Sequence, residues 1–145
     1  MFKKVLFPVD IDQDSSLAAL PDAGDIARRF DGNLTLLNVQ APMPSMVSAY
    51  LPDDYPQESV QMIKDRLKSV IDENKLGAGT EVVVRHGSPH HAILEYAEAE
   101  DIDLIIIASH NPGLVDYLLG STAGQVVRHA QCSVLVLRSG SSEAS

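Results

Sequence analysis

An α/β fold, an open parallel sheet of five strands with helices on both faces, is what this sequence predicts. Three observations carry the prediction. Short apolar runs recur five times along the 145 residues. Four of these runs are β-branched or nearly continuously apolar, as strands covered on both faces are. The gaps between runs carry helical periodicity, and strand–helix–strand in repetition marks a parallel sheet.

The first run is Val5-Leu6-Phe7-Pro8-Val9. A helix is expected over Ser15 to Phe30, where Leu17, Leu20, Gly24, Ala27 and Phe30 recur at spacings of three or four. Pro21 lies inside it. An internal proline costs about 3 kcal/mol or bends the helix, so a kink is expected there. The second run is Leu34 to Val39. Ala41 to Pro56 follows with four of the eight prolines, and reads as an irregular loop leaving the sheet, placed to act as a lid. Gln57 to Asn74 sets Val60, Ile63, Leu67, Val70 and Ile71 on one stripe and stops near Gly77. The third run is Val82-Val83-Val84. Ser88-Pro89 is an N-cap followed by proline at the first helical position, ahead of Ala92, Ile93, Tyr96 and Ala97. The fourth run is Leu104 to Ala108. A short helix over Ser121 to Ala130 turns Ala123, Val126, Val127 and Ala130 inward, and the last run is Val134 to Leu137. A single domain over 1–138 and a flexible tail over 139–145 are the expected organisation.

Right-handed crossovers restrict the topologies open to five such strands. The expected order is 3-2-1-4-5, which puts a switch point between strands one and four. Open α/β sheets bind ligands there, beyond the carboxyl ends of the strands. The site should therefore be built from Pro8-Val9-Asp10 and from Ala108-Ser109-His110.

Composition narrows the partners. Hydrophobic residues make up 45% and charged residues 21%, which excludes wholesale disorder and fibrous repeats. No apolar run approaches the roughly 20 residues of a membrane span. Twenty acidic residues against eleven lysines and arginines give a net charge of −9, with no basic stripe of the kind that nucleic-acid readers carry. An anionic ligand must then be held by backbone amides and local geometry against the global field. One cysteine, Cys132, cannot pair internally, and the apolar stretch Val5-Leu6-Phe7 is too short for a secretory leader. A cytoplasmic protein is expected.

The chemistry concentrates in residues 108–124. Gly120-Ser121-Thr122 opens the last helix, where free amides and the positive end of the helix dipole favour a phosphate. Glycine permits close backbone approach, and the two hydroxyls add donors. The same tripeptide also serves as an ordinary N-cap.

Taken with its flanks, this segment resembles the nucleotide loop of the universal stress proteins. Val126 to Arg138 is similar to that family's ending, Lys3 to Asp10 to its opening strand, Leu34 to Val39 to its second strand, and His86-Gly87-Ser88-Pro89 to its turn into the third helix. Within the family, Ile106 to His110 and Tyr117 to Ser121 look closest to the F type. The resemblance implies a flavodoxin-like (Rossmann-like) domain, usually dimeric, that in many members binds ATP. The family's ATP pattern is Gly-x-x-Gly-x9-Gly-Ser/Thr, and this chain departs from it. Ala108 and Asn111 stand where the first two glycines belong, and eight residues separate Asn111 from Gly120. Asparagine tolerates left-handed backbone better than most residues, so it can substitute for glycine. Position by position, the resemblance puts Asp10 at the ribose and adenine end, with Pro8, Val9 and Val39 bordering the base. Ala108 and Ser109 line the ribose. His110, Asn111, Gly120, Ser121 and Thr122 surround the phosphates. Mg²⁺ would be held mainly by phosphate oxygens and water.

Rival chemistries have less behind them. Asp10, His110 and Ser109 or Ser121 form no triad around a Gly-x-Ser-x-Gly elbow, and the adjacent Ser109 and His110 point apart on a strand. His90-His91 has no third ligand at metal spacing. His86 and His129 read as surface residues, and Cys132 as a partly buried filler. Three functions stay open. One is an ATP-binding regulatory module with at most weak hydrolysis. The second is a stress-response interaction module without nucleotide. The third is a slow ATPase or self-phosphorylating enzyme, for which no P-loop lysine or water-activating base is visible. The apolar edge strand over 133–138 is the expected homodimer seam, with pairing of dimers into a tetramer left open.

Overall fold

In the computed structural model the described residues are 1–10, 14–40, 55–77, 79–109 and 120–138. The strands are β1 (Lys4–Pro8), β2 (Asn33–Gln40), β3 (Glu81–His86), β4 (Leu104–Ser109) and β5 (Ser133–Arg138). The helices are α1 (Asp14–Ala18), α2 (Leu20–Arg29), α3 (Tyr55–Glu73), α4 (Pro89–Ala99) and α5 (Ser121–His129). The sheet runs β3-β2-β1-β4-β5 and every pairing is parallel, as the sequence predicts.

Alternation along the central strands explains their unbroken apolarity. Val5 and Phe7 of β1 and Leu104 and Ile106 of β4 face one core with Leu20, Ala23 and Ala27 of α2 and Ile63 and Leu67 of α3. Leu6, Ile105 and Ile107 face the other core with Ile93 and Tyr96 of α4 and Ala123 and Val126 of α5. A strand with both faces buried has no polar side to display.

The predicted helix over Ser15 to Phe30 is corrected to two helices that meet at Ala19. Ala19 occupies the N-cap of α2, and Pro21 falls in the first turn. Proline has no N–H to offer the preceding turn and its ring crowds that turn's carbonyl, so a break that places it in a first turn removes the cost. Phe30 is not inward: it follows α2 with 36% of its surface exposed and meets the Phe2 ring edge-on at 5.0 Å. The other helices match their expected spans within two residues, except that α3 takes in Tyr55 and Pro56 from the expected loop. The rest of the lid-like segment and the 139–145 tail lie outside the described residues.

Candidate functional site

The carboxyl ends of β1 and β4 diverge toward different neighbours, β2 on one side and β5 on the other. A cavity of about 350 Å³ opens at that point. Pro8, Val9 and Asp10 approach it from the end of β1, Val39 from β2 and Ala108 from β4. Gly120, Ser121, Thr122 and Ala123 enter it from the start of α5. Eight of the eleven residues singled out from the sequence thus line one cavity. Ser109 ends β4 in register with Arg138. His110 and Asn111 lie outside the described residues.

Backbone geometry explains the α5 end. Gly120 is the N-cap, with φ −60° and ψ 162°, and its carbonyl accepts the first helical bond from Gly124 N at 2.8 Å. The amides of the first turn have no intrahelical acceptor, so they point along the axis toward the cavity. Neither Gly120 dihedral requires glycine. What glycine supplies is space, for a Cβ there would meet nothing within 4 Å among the described residues.

The β1 end is held more firmly. Val9 N donates to the Leu37 carbonyl at 2.8 Å, extending the β1–β2 ladder past the last strand residue. Asn38, only 2% exposed, donates from Nδ2 to the Val9 carbonyl at 2.9 Å, and its Oδ1 accepts from Gln40 Nε2. Asp10 N donates to the buried Ser16 Oγ at 2.9 Å.

Sequence reasoning missed six cavity residues: Ser16, Leu37, Pro89, Ile93, Ile107 and Ala123. Leu37, Ile93 and Ile107 look like core residues, and they also form the cavity's apolar floor. Ser16 gives no signal because its neighbours read as a helix start. Ser88 takes the extended N-cap conformation ahead of α4 without capping through its side chain, and its Oγ lies 3.4 Å from His90 Nδ1. The His90 and His91 rings stack, with centroids 4.9 Å apart. Among the described residues no three histidine, cysteine or acidic side chains gather as a metal site. His86 and His129 are exposed. Cys132 is half-buried, and burial pushes its thiol up, with Asp103 adding to the effect and a backbone hydrogen bond opposing it. No described helix is long and apolar enough to cross a membrane.

A profile described as the universal stress protein family matches residues 1–138. The chain belongs to that family. It is 32% identical over 143 residues to Universal stress protein G of Salmonella typhimurium, covering 95% of this chain and 100% of that one. It is 31% identical to Universal stress protein MJ0531 of Methanocaldococcus jannaschii over 95% of this chain and 83% of that one. The resemblance of single segments to the F type therefore sits beside a relative that carries the G designation. Among solved structures, hypothetical protein MJ0577 superposes with a TM-score of 0.76 at 25% identity, covering 95% and 96% of the two chains. UspA from Lactobacillus plantarum superposes at 0.72 with 28% identity, over 94% and 98%. A universal stress protein solved in complex with cAMP shares the fold at a TM-score of 0.65 and 24% identity, over 94% and 98%.

Proposed function

We propose that this universal stress protein binds ATP, with Mg²⁺, as a regulatory nucleotide between the ends of β1 and β4, with at most weak hydrolysis. The observation that carries the reading is the convergence of the β1 end, Val39, Ala108 and the first turn of α5 on one cavity. Its volume of about 350 Å³ suits a small ligand, since such pockets run from about 300 to 1,000 Å³. The residues fit the group at both ends. Among the described residues the space over Gly120 is open, which leaves room for a phosphate that a Cβ would fill. Leu37, Val39 and Ile93 offer an apolar wall to a base. The cAMP complex supports the capacity of this fold for an adenine nucleotide.

In this reading Pro8, Val9 and Val39 border adenine, and the Asp10 carboxylate accepts from a ribose hydroxyl or the adenine amine. Ala108 and Ser109 line the ribose. The amides and hydroxyls of Gly120, Ser121 and Thr122 take the phosphates, with His110 and Asn111 completing that end. Mg²⁺ is held through phosphate oxygens and water, in keeping with its reluctance to shed hydration. The protein acts in the cytoplasm as a homodimer through 133–138, where Leu135 on the sheet edge leaves 37% of its surface exposed.

The test is to denature protein purified without added nucleotide, remove the chain and identify the released small molecule by mass. ATP near one per chain, or a rise in melting temperature with Mg-ATP, is the expected result. An empty preparation whose melting ignores Mg-ATP sinks the nucleotide reading and leaves an interaction module.

A further inference from the structure

We infer that Ser16 is a positioning residue for Asp10, acting with Asn38 through a clamp on one peptide unit; the inference rests on the nucleotide reading above. The Val9 carbonyl and the Asp10 amide belong to the same planar group. Asn38 Nδ2 donates to its oxygen at 2.9 Å, and its nitrogen donates to Ser16 Oγ at 2.9 Å. The two clamping side chains come from β2 and α1 and reach the peptide from different elements. Both are buried, at 2% and 7% exposure.

A planar unit fixed at both its oxygen and its nitrogen cannot swing about the chain axis. The rotations on either side of it, ψ of Val9 and φ of Asp10, are fixed with it. The Cα–Cβ direction of Asp10 is then set by the scaffold. Asp10 itself is exposed at the cavity mouth, just beyond the last strand residue, where the ladder alone no longer directs it. A carboxylate meant to accept a hydrogen bond from a ligand loses affinity if its direction must be chosen at binding, so fixing it beforehand strengthens the complex. Asn38 is itself held, since its Oδ1 accepts from Gln40 Nε2. The clamp thus reaches back into the end of β2.

The experiment compares wild type, S16A and S16T by Mg-ATP titration and by amide hydrogen exchange at Asp10. In S16A the Asp10 amide loses its acceptor and exchanges faster, and Mg-ATP binds about fivefold more weakly, the size of one ordinary hydrogen bond. S16T keeps a hydroxyl and restores both. In a D10A background S16A adds no further loss, because nothing is left to position. Three results overturn the inference while leaving the nucleotide site intact. One is wild-type affinity in S16A. Another is unchanged Asp10 exchange in S16A. The third is the same fivefold loss in the D10A background, which would mean that Ser16 touches the ligand itself. Failure of wild type to bind Mg-ATP overturns the nucleotide reading and the positioning role with it.

Discussion

Asn38 and Val9 are joined across two strands by a side-chain bond: the Asn38 amide donates 2.9 Å to the Val9 carbonyl, and almost none of Asn38 is exposed. A buried amide in an otherwise apolar strand stabilises only while its partners are in place. Asn38→Leu keeps the bulk and removes the donor, so the Val9 carbonyl is left without that partner. Stability should fall by about 1–3 kcal/mol. In urea the midpoint drops while the slope stays the same, because the surface exposed on unfolding hardly changes. An unshifted midpoint would mean the carbonyl had found another donor.

The strand order was legible because the chain's alternation has few rival solutions. Leu104 to Ala108 has no polar face, as a strand covered on both faces reads, and right-handed crossovers favour an order with the switch point beside it. Most of the site followed from that position. Pro21 was harder to read: its cost to a helix was clear, but the remedy, a new helix beginning at Leu20, depends on how Ala19 packs and not on local pattern. Ser16 and Asn38 were illegible for a different reason. Each acts on a backbone group distant in sequence, and no local periodicity records such a pairing.

Gly32 is required by close approach. A Cβ there would sit far inside contact distance of the Phe2 carbonyl oxygen, and the neighbouring backbone is pinned by Gly32 N to the Ala27 carbonyl and by Asn33 N to the Lys3 carbonyl, each at 2.8 Å. Gly32→Ala should cost about 1–3 kcal/mol. Gly24→Ala is the control. Its Cβ meets the tip of the Leu76 side chain, which can turn aside, and alanine gains about 1 kcal/mol of helix propensity. Thermal melts should show the larger drop for Gly32→Ala. Equal drops would place the cost in crowding generally and not in backbone approach.

Burial raises the Cys132 thiol, so thiolate is scarce near neutral pH. The native protein should react with Ellman's reagent more slowly than the urea-unfolded chain, and its rate should climb only at higher pH. The sign of the linkage follows. The folded thiol keeps its proton where the unfolded thiol has lost it, so stability falls as pH rises from the unfolded pKa to the folded one. A native rate equal to the unfolded rate at every pH would show that Asp103 and burial leave the thiol unaffected.

Gly120→Leu separates the site from the fold. The φ of −60° suits any residue, and no described residue comes within 4 Å of the Cβ position. Loss of a good N-cap residue should cost about 1 kcal/mol, so the variant stays folded and melts only slightly lower. Its side chain, however, occupies the volume assigned to the phosphates and shields the first-turn amides of α5. Mg-ATP affinity should fall about tenfold to a hundredfold, as when a hydrogen bond to a charged group is lost. The measurement is the melting shift with and without Mg-ATP in wild type and variant, with phosphate release against a protein-free blank alongside. A shift present in wild type and absent in Gly120→Leu locates the phosphates at α5. A shift that survives the substitution moves the nucleotide elsewhere on the molecule. Phosphate release that exceeds the blank and vanishes with Gly120→Leu makes the protein a slow ATPase at this same site, because the cradle would then serve turnover as well as binding.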